Sequence, residues 1–368
     1  MGLLGLSGCG SPSSASVEMS SQTELVKTGS MELQYAENFA VDYYEDGYKM
    51  LTTLPNSKRY LIVPEGQPVP RGLDEDVSIL QEPLQNIYLV ASGAMDMFAS
   101  LDAVDQIRFS GQKQENWYIQ TAKDAMAAGD MIYAGKYSKP DYELLVSEGC
   151  DLAIENRMIT HSPEVVEMLQ SFDIPVMIEY SSYEQHPLGK VEWVKFFGAL
   201  TGKEAEAEEA FAEQTEILEK VESGEKTGKT IAFFYVTSNG LIQVRQSTDY
   251  IPKLIELAGG RYIFEDLEDS GSGRSTLNMQ VEDFYAGAKD ADILIYNSSI
   301  DGGVTTLDEL IGKCNILKDF KAVQEGQVYC TTNDMYQQSM AIGYLLQDMH
   351  TVLTDDDTAK LRYLFLLQ

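Results

Sequence analysis

One segment near the middle of the chain restricts the fold more than any other. Leu188 to Ser223, LGKVEWVKFFGALTGKEAEAEEAFAEQTEILEKVES, consists of helix formers interrupted in its interior by Gly198 and Gly202. It reads as one long helix or two abutting helices, amphipathic in the second half. On both sides of it the same order of elements runs. Before it, NIYLVAS (86–92) is a short apolar run of the kind that forms a strand buried on both faces. AMDMFASLDAVDQI (94–107) then has helical spacing, DYELLVSEG (141–149) is a helix with a glycine stop, and CDLAIEN (150–156) is a second buried strand. SPEVVEMLQSF (162–172) is a helix with Ser162 at its cap position and Pro163 in its first turn, followed by the strand IPVMIEY (174–180). After the central segment the pattern restarts with the strand TIAFFYV (230–236). The helices STDYIPKLIELAGG and QVEDFYAGAKD, the strands ADILIYN and QVYCTT, and a last helix through QQSMAIGYLLQDMHTVL complete it. Two similar α/β lobes flank a helical connection. In such sheets ligands bind at the carboxyl ends of the strands, so a shared cleft is expected.

The remaining sequence lies N-terminal to this repeat. MELQYAENFAVDYYEDGYKMLTTL (31–54) alternates aromatic and β-branched residues around a turn at EDG, and KRYLIVPEG is another strand. Residues 31–64 therefore read as antiparallel strands. A chain of 368 residues exceeds what one hydrophobic core usually supports, which agrees with more than one lobe. With 27 basic and 58 acidic residues the net charge is −31, a poor match for nucleic acid.

The first residues carry a separate signal. LSGC, Leu6 to Cys9, has the form of a bacterial lipobox, in which small residues admit a signal peptidase and the cysteine thiol takes the lipid. Only eight residues precede Cys9 and none is Lys or Arg, so the leader is shorter than a secretory signal requires. A start codon upstream is the expected explanation. Residues 10–23 are Ser-rich without periodicity and read as a flexible tether. No run approaches the about 20 apolar residues of a membrane-spanning helix. The other cysteines, Cys150, Cys314 and Cys330, have no CxxC spacing, and Cys150 and Cys330 read as small buried residues. A bond between Cys314 and Cys330 is left open by the sequence.

PDYELLVSEGCDLAI, EQHPLGKVEWVKFFGALTGKE, and VYCTTNDMYQQSMAIGYLLQDMH leading to LRYLF carry a resemblance. Over roughly residues 75–365 the chain resembles the substrate-binding proteins of ABC importers, in the class III group that binds iron–siderophores, haem and cobalamin. The resemblance implies two Rossmann-like α/β lobes joined by a single long backbone helix, here with an added β-rich N-terminal segment. The expected division is leader and tether 1–30, β-rich segment 31–74, N-terminal lobe 75–186, linking helix 187–223 and C-terminal lobe 224–368. It also implies docking on a permease through one surface Glu per lobe, at the positions of Glu143 and Glu282. An acidic residue at a helix N-terminus also interacts favourably with the helix dipole, which is the alternative reading of both. The implied partners are an ABC permease dimer with its ATPase and a metal-chelate ligand, with the membrane reached through the lipid on Cys9. The expected location is extracytoplasmic, the expected state a monomer. A rigid linking helix implies small lobe motion.

A cleft for a large or polyanionic chelate needs aromatic walls and a few cations. The strand ends offer Met95, Trp117, Tyr118, Arg157, Tyr180 and Tyr183 in the first lobe, and Tyr235, Arg245, Tyr296 and Tyr336 in the second. Arg157 and Arg245 stand just past strand ends in their respective lobes, although surface ion pairing would also explain them. Tyr and Met are equally common in cores. His186, before Pro187, reads as a capping or hinge residue. Three histidines in the whole chain argue against a bound free metal ion, whose site needs several converging ligands. No metal site, cofactor or catalytic residue is expected. The first ligand class is a ferric siderophore or haem, with a corrinoid as the alternative. A different class, an α/β enzyme, lacks support: no G-x-S-x-G, Walker or G-x-G-x-x-G motif occurs, and SGSGRS at 270–275 reads as a loop.

Overall fold

The computed structural model describes residues 25–267, 275–300, 303–355 and 358–368. Cys9, the Ser-rich tether and most of SGSGRS lie outside them.

Residues 27–81 form a five-stranded sheet: β1 (Lys27–Ser30), β2 (Phe39–Tyr44), β3 (Lys49–Thr53), β4 (Lys58–Val63) and β5 (Val77–Gln81), in that order. The first four pair antiparallel and β5 runs parallel to β4. The sheet therefore extends past residue 74, where the sequence places the end of the β-rich segment. Its alternating residues split between two faces, as a period of two requires. Phe39, Val41, Leu51, Tyr60 and Ile62 join the main core, while Tyr48, Met50, Leu61 and Val63 form a cluster on the opposite face.

The N-terminal lobe contains β6 (Ile87–Leu89), α1 (Ala94–Ser100), β7 (Ile107–Ser110), α2 (Gln120–Ala128), β8 (Ile132–Tyr133) and the small hairpin β9 (Gly135–Lys136) and β10 (Lys139–Pro140). It continues with α3 (Tyr142–Ser147), β11 (Leu152–Asn156), α4 (Pro163–Ser171) and β12 (Val176–Glu179). Its sheet is parallel, in the order β12-β11-β6-β7-β8. Parallel strands are covered by helices, which is why IYL and LAIE read as unbroken buried runs.

The helical connection is two helices, α5 (Pro187–Thr201) and α6 (Glu204–Glu222). Gly202 ends α5 in the left-handed region, φ +71, a conformation that costs glycine no steric strain. Gly198 lets α6 fold back against α5, since a Cβ there would lie 2.6 Å from that of Ala207. Every residue of α5 except Thr201 is buried. One reason is that the N-terminal sheet covers it, with Phe39 against Trp193 and Phe196 at ring distances of 5.0 and 5.3 Å.

The C-terminal lobe contains β13 (Thr230–Val236), β14 (Ile242–Arg245), α7 (Tyr250–Leu257), β15 (Arg261–Tyr262), β16 (Thr276–Met279) and α8 (Val281–Ala288). After them come β17 (Ile293–Tyr296), α9 (Leu307–Lys313), α10 (Lys321–Gln324), β18 (Val328–Thr331), α11 (Ile342–Thr354) and β19 (Leu364–Leu366). The order is β16-β14-β13-β17-β18-β19, with β15 beside the start of β13. The trio β13-β17-β18 repeats the parallel pairing of β6-β11-β12. One core runs through the interlobe side of both sheets, α5, α7 and α11, and separate clusters fill the outer side of each lobe. Cys314 and Cys330 are both buried, and the Cys330 Sγ lies 3.7 Å from the Val304 carbonyl oxygen.

Candidate ligand cleft between the lobes

Strand ends of both sheets converge on a cavity of about 260 Å³ beside the first turn of α5. The N-terminal lobe contributes the β6–α1 turn (Ala91, Ser92, Gly93), the end of β11 (Asn156, Arg157, Met158) and the end of β12 (Glu179, Ser181, Ser182, Tyr183). The C-terminal lobe contributes Arg245 from β14, Tyr250 from α7, Ser275, Tyr336 and Ser339. Lys190 of α5 lies between them.

Each side chain is held by local chemistry. Past the end of β11 the Asn156 carboxamide accepts the Met158 N–H at 2.8 Å, turning the chain so that Arg157 lies over the Tyr183 ring at 4.5 Å. At the end of β12 a Glu179 oxygen accepts the Ser181 N–H at 2.6 Å, and burial raises the pKa of that carboxyl. Arg245 is buried and donates to Asp249 at 3.3 Å and to the Tyr336 hydroxyl. Burial works against its charge, but Tyr336 and Asp249 beside it hold its pKa above the usual value. The Tyr336 hydroxyl also accepts from Asn297 at 2.6 Å, so one phenol ties β14 to the end of β17. Desolvation raises the pKa of Tyr250 and of Tyr336, keeping both phenols protonated.

The lobes touch directly on one side of the cavity. Gln337 accepts the Tyr118 N–H and donates to the Asn116 carbonyl, each at 2.8 Å. Asp96 of α1 accepts the Met340 N–H at 2.7 Å. Ser339 sits against Gly93, where a Cβ would come within 3.0 Å of its hydroxyl.

Of the ten residues expected in the cleft, Arg157, Tyr183, Arg245 and Tyr336 line the cavity. The other six stand elsewhere. Met95 is buried in the core on α1, and Trp117 is buried with its indole N–H on the Ser110 hydroxyl at 3.0 Å. Tyr296 is buried on the outer side of the C-terminal sheet against Phe234. Tyr235 packs against that same cluster. Tyr118 is half exposed, with Lys123 5.9 Å from its ring centre, and Tyr180 is buried at an edge-on ring distance of 6.4 Å from Tyr183. For Tyr296, in β17, the cause is the two-residue period: a position near a strand end meets the cleft or the core depending on register. Met95 stands on α1, and Trp117 and Tyr118 lie between β7 and α2, where strand alternation does not apply. The cavity lining also holds Lys190, Glu179, Tyr250, Ser181, Ser182, Ser275 and Ser339, which were not among the expected ten. Lys190 had a signal, a lysine in an otherwise apolar first helical turn.

His186 accepts the Leu188 N–H at 3.1 Å through Nδ1 and stacks on Tyr35 at 4.4 Å, a cap at the start of α5. Glu143 and Glu282 are exposed in the first turns of α3 and α8, the helices that precede the equivalent strands β11 and β17. Among the described residues no three His, Cys, Asp or Glu side chains come together as a metal-ion set, and no helix is long and apolar enough to cross a membrane.

Residues 91–335 match the sequence profile described as periplasmic binding protein. An uncharacterized lipoprotein of Methanocaldococcus jannaschii is 24% identical over 353 residues, which span 87% of this chain and 81% of that protein. Among solved structures, a possible iron-binding (periplasmic solute-binding) protein of Staphylococcus epidermidis superposes with a TM-score of 0.57 at 17% identity, over 73% of this chain and 98% of its own. The periplasmic haem-binding protein HutB of Vibrio cholerae superposes with a TM-score of 0.58 at 14% identity, over 73% and 98%. At these identities the superpositions speak for the fold.

Proposed function

The chain belongs to the periplasmic binding protein family as a substrate-binding protein of the ABC-importer type, and from that premise we propose that it captures an iron chelate between its lobes and delivers it to an ABC permease with its ATPase. The function is binding without chemical turnover. One observation carries the ligand reading: a cavity at the strand ends of both lobes, walled by Arg157, Arg245, Tyr183, Tyr250 and Tyr336. Guanidinium groups suit anionic oxygen ligands of a ferric complex, and aromatic rings suit its organic frame. A ferric siderophore or haem is the first ligand class, and a corrinoid is the alternative. Names of similar proteins that mention iron and haem support the first.

Delivery requires docking. Glu143 and Glu282 occupy equivalent helix starts in the two repeated halves, which supports paired contacts with cationic residues on a permease dimer. Anchoring is assigned to a lipid on Cys9, supported by the LSGC motif and by the lipoprotein name of the archaeal relative. The protein then works at the outer face of the cell membrane as a monomer.

The test is purification from native cells under mild conditions, followed by the visible spectrum and mass of the co-purifying ligand. A charge-transfer band of a ferric siderophore or a Soret band supports the iron reading. A corrinoid spectrum selects the alternative. A protein that carries none of these, and binds none when offered them, overturns the reading.

A further inference from the structure

The first turn of α5 presents Lys190 to the interlobe cavity, and this ammonium has no acceptor of its own. Lys190 is 4% exposed. Its Nζ lies 4.8 Å from the centre of the Tyr250 ring. Among the described residues it makes no hydrogen bond and no ion pair; Glu179, Tyr336 and Asp249 act on it only at longer range, and Arg245 opposes them. Asp96 also feels its charge, without a hydrogen bond between them. A buried cation normally has a partner, because desolvation is costly unless a hydrogen-bonded anion compensates it. Ser339 adds a second unmet group. It is fully buried, lines the same cavity, and its hydroxyl has no hydrogen-bond partner among the described residues.

The surrounding charge points the same way. Among the described residues the lining holds three cations, Arg157, Lys190 and Arg245, against one carboxylate, Glu179. This occurs in a chain of net charge −31, whose long-range field repels anions. Glu179 is already engaged by the Ser181 N–H. Arg245 keeps part of its fork on Asp249 and Tyr336.

We infer that the α5 end of the cavity is a subsite for a compact anionic oxygen group of the ligand, with Lys190 as the residue that sets the sign of the charge admitted. The inference rests on the ligand-binding reading above and narrows it. A carboxylate, phosphate-like or catecholate oxygen placed there gives Lys190 its missing acceptor and the Ser339 hydroxyl one as well. A neutral chelate leaves the ammonium buried and unpaired, so it is discriminated against. Because burial lowers the Lys190 pKa in the free protein, filling the subsite draws a proton onto Lys190 at alkaline pH.

Calorimetric titrations of the full chain, wild type against Lys190→Met and Lys190→Arg, test this. The probes are ferric citrate, an uncharged ferric trihydroxamate, and the simple oxyanions citrate and orthophosphate. Lys190→Met is expected to bind the anionic probes at least tenfold more weakly, with the uncharged chelate unchanged or tighter, and Lys190→Arg is expected to restore most of the loss. Paired titrations at a series of alkaline pH values, in buffers of different ionisation enthalpy, should show proton uptake by the wild type that grows as pH rises, a readout that stands even if Lys190→Met fails to fold. Equal binding of the anionic probes by wild type and Lys190→Met overturns the subsite while leaving the importer reading intact. Lys190-dependent binding of oxyanions by a protein that takes no iron chelate sustains the subsite and overturns the iron reading. Binding of neither class by the wild type overturns both.

Discussion

At the end of β11, Glu155 is fully buried, and neither carboxyl oxygen has a hydrogen-bond partner among the described residues. Burial pushes its pKa up to about 8 from 4.5. The native state therefore keeps a proton through neutral pH that the unfolded chain has already released. This group's contribution to stability is fully present below about pH 4.5 and is lost as pH rises towards 8. Glu155→Gln removes the titration. Relative to the wild type, the variant should gain about 1–3 kcal/mol between pH 5 and pH 8. Urea midpoints at the two pH values measure it, and an equal offset at both would refute the assignment. The same residue shows how far a sequence can be read at this scale. Arg245 is the last residue of β14, a strand the sequence did not mark, whereas Arg157 was legible because it follows the recognisable strand CDLAIEN. Glu155, one residue inside such a strand, looks the same in sequence as a cleft carboxylate, yet it shares the outer side of the sheet with Tyr88 and Tyr142.

The helix α5 is where elements meet. Two buried carboxylates on it and just before it fasten the N-terminal segment by its backbone. Glu192 accepts the N–H groups of Gln34, Tyr35 and Ala36 at 2.8–3.1 Å. Glu184 accepts those of Glu37 and Asn38 at 2.9 and 3.0 Å, and the Trp193 indole N–H at 2.8 Å. Five consecutive amides that belong to no strand are thereby satisfied, and charged acceptors make such bonds strong. Glu192→Gln keeps the shape but weakens three of them. It should cost about 2–4 kcal/mol, with amide exchange accelerated first at residues 34–36. Uniform acceleration along the chain would instead indicate a global effect. The sequence marked α5 and α6 as helical and Gly202 as an interruption. It did not show that an unfamiliar N-terminal sheet would cover α5, because that requires contacts across about 150 residues of chain.

For the whole molecule, lobe movement and docking are the properties at issue. A core continuous through α5, α7 and α11, together with the Gln337 and Asp96 bonds across the cleft, resists wide opening. The radius of gyration from solution scattering should change by less than about 1 Å on saturation with ligand, in keeping with small shear rather than a large hinge. A large compaction would overturn that expectation. Docking is separable from capture. Glu143→Lys combined with Glu282→Lys should abolish uptake in cells while leaving ligand affinity within about twofold, since both residues lie on exposed helix starts away from the cavity. Retained uptake would exclude these two positions as the docking pair.

The sequence by itself determined the local order of the repeated part: the strands β6, β11, β12, β13, β17 and β18, the helices that alternate with them, and a helical segment between the halves, while β5, β7, β14, β16 and β19 were not marked. Those properties follow from periodicity and from turn chemistry over a few residues. The tertiary structure alone decided which residues share the cleft. LSGC, Cys9 and the docking glutamates remain proposals of motif and position. The cavity is different in kind: Tyr296 and Tyr336 are both tyrosines near strand ends, yet one is core and the other bonds Arg245. Lys190 sits in a stretch that reads as packing, and only the approach of α7 and of the 336–339 loop makes its charge a feature of the site. Side-chain direction depends on sheet register and lobe apposition, which are set by contacts distant in sequence.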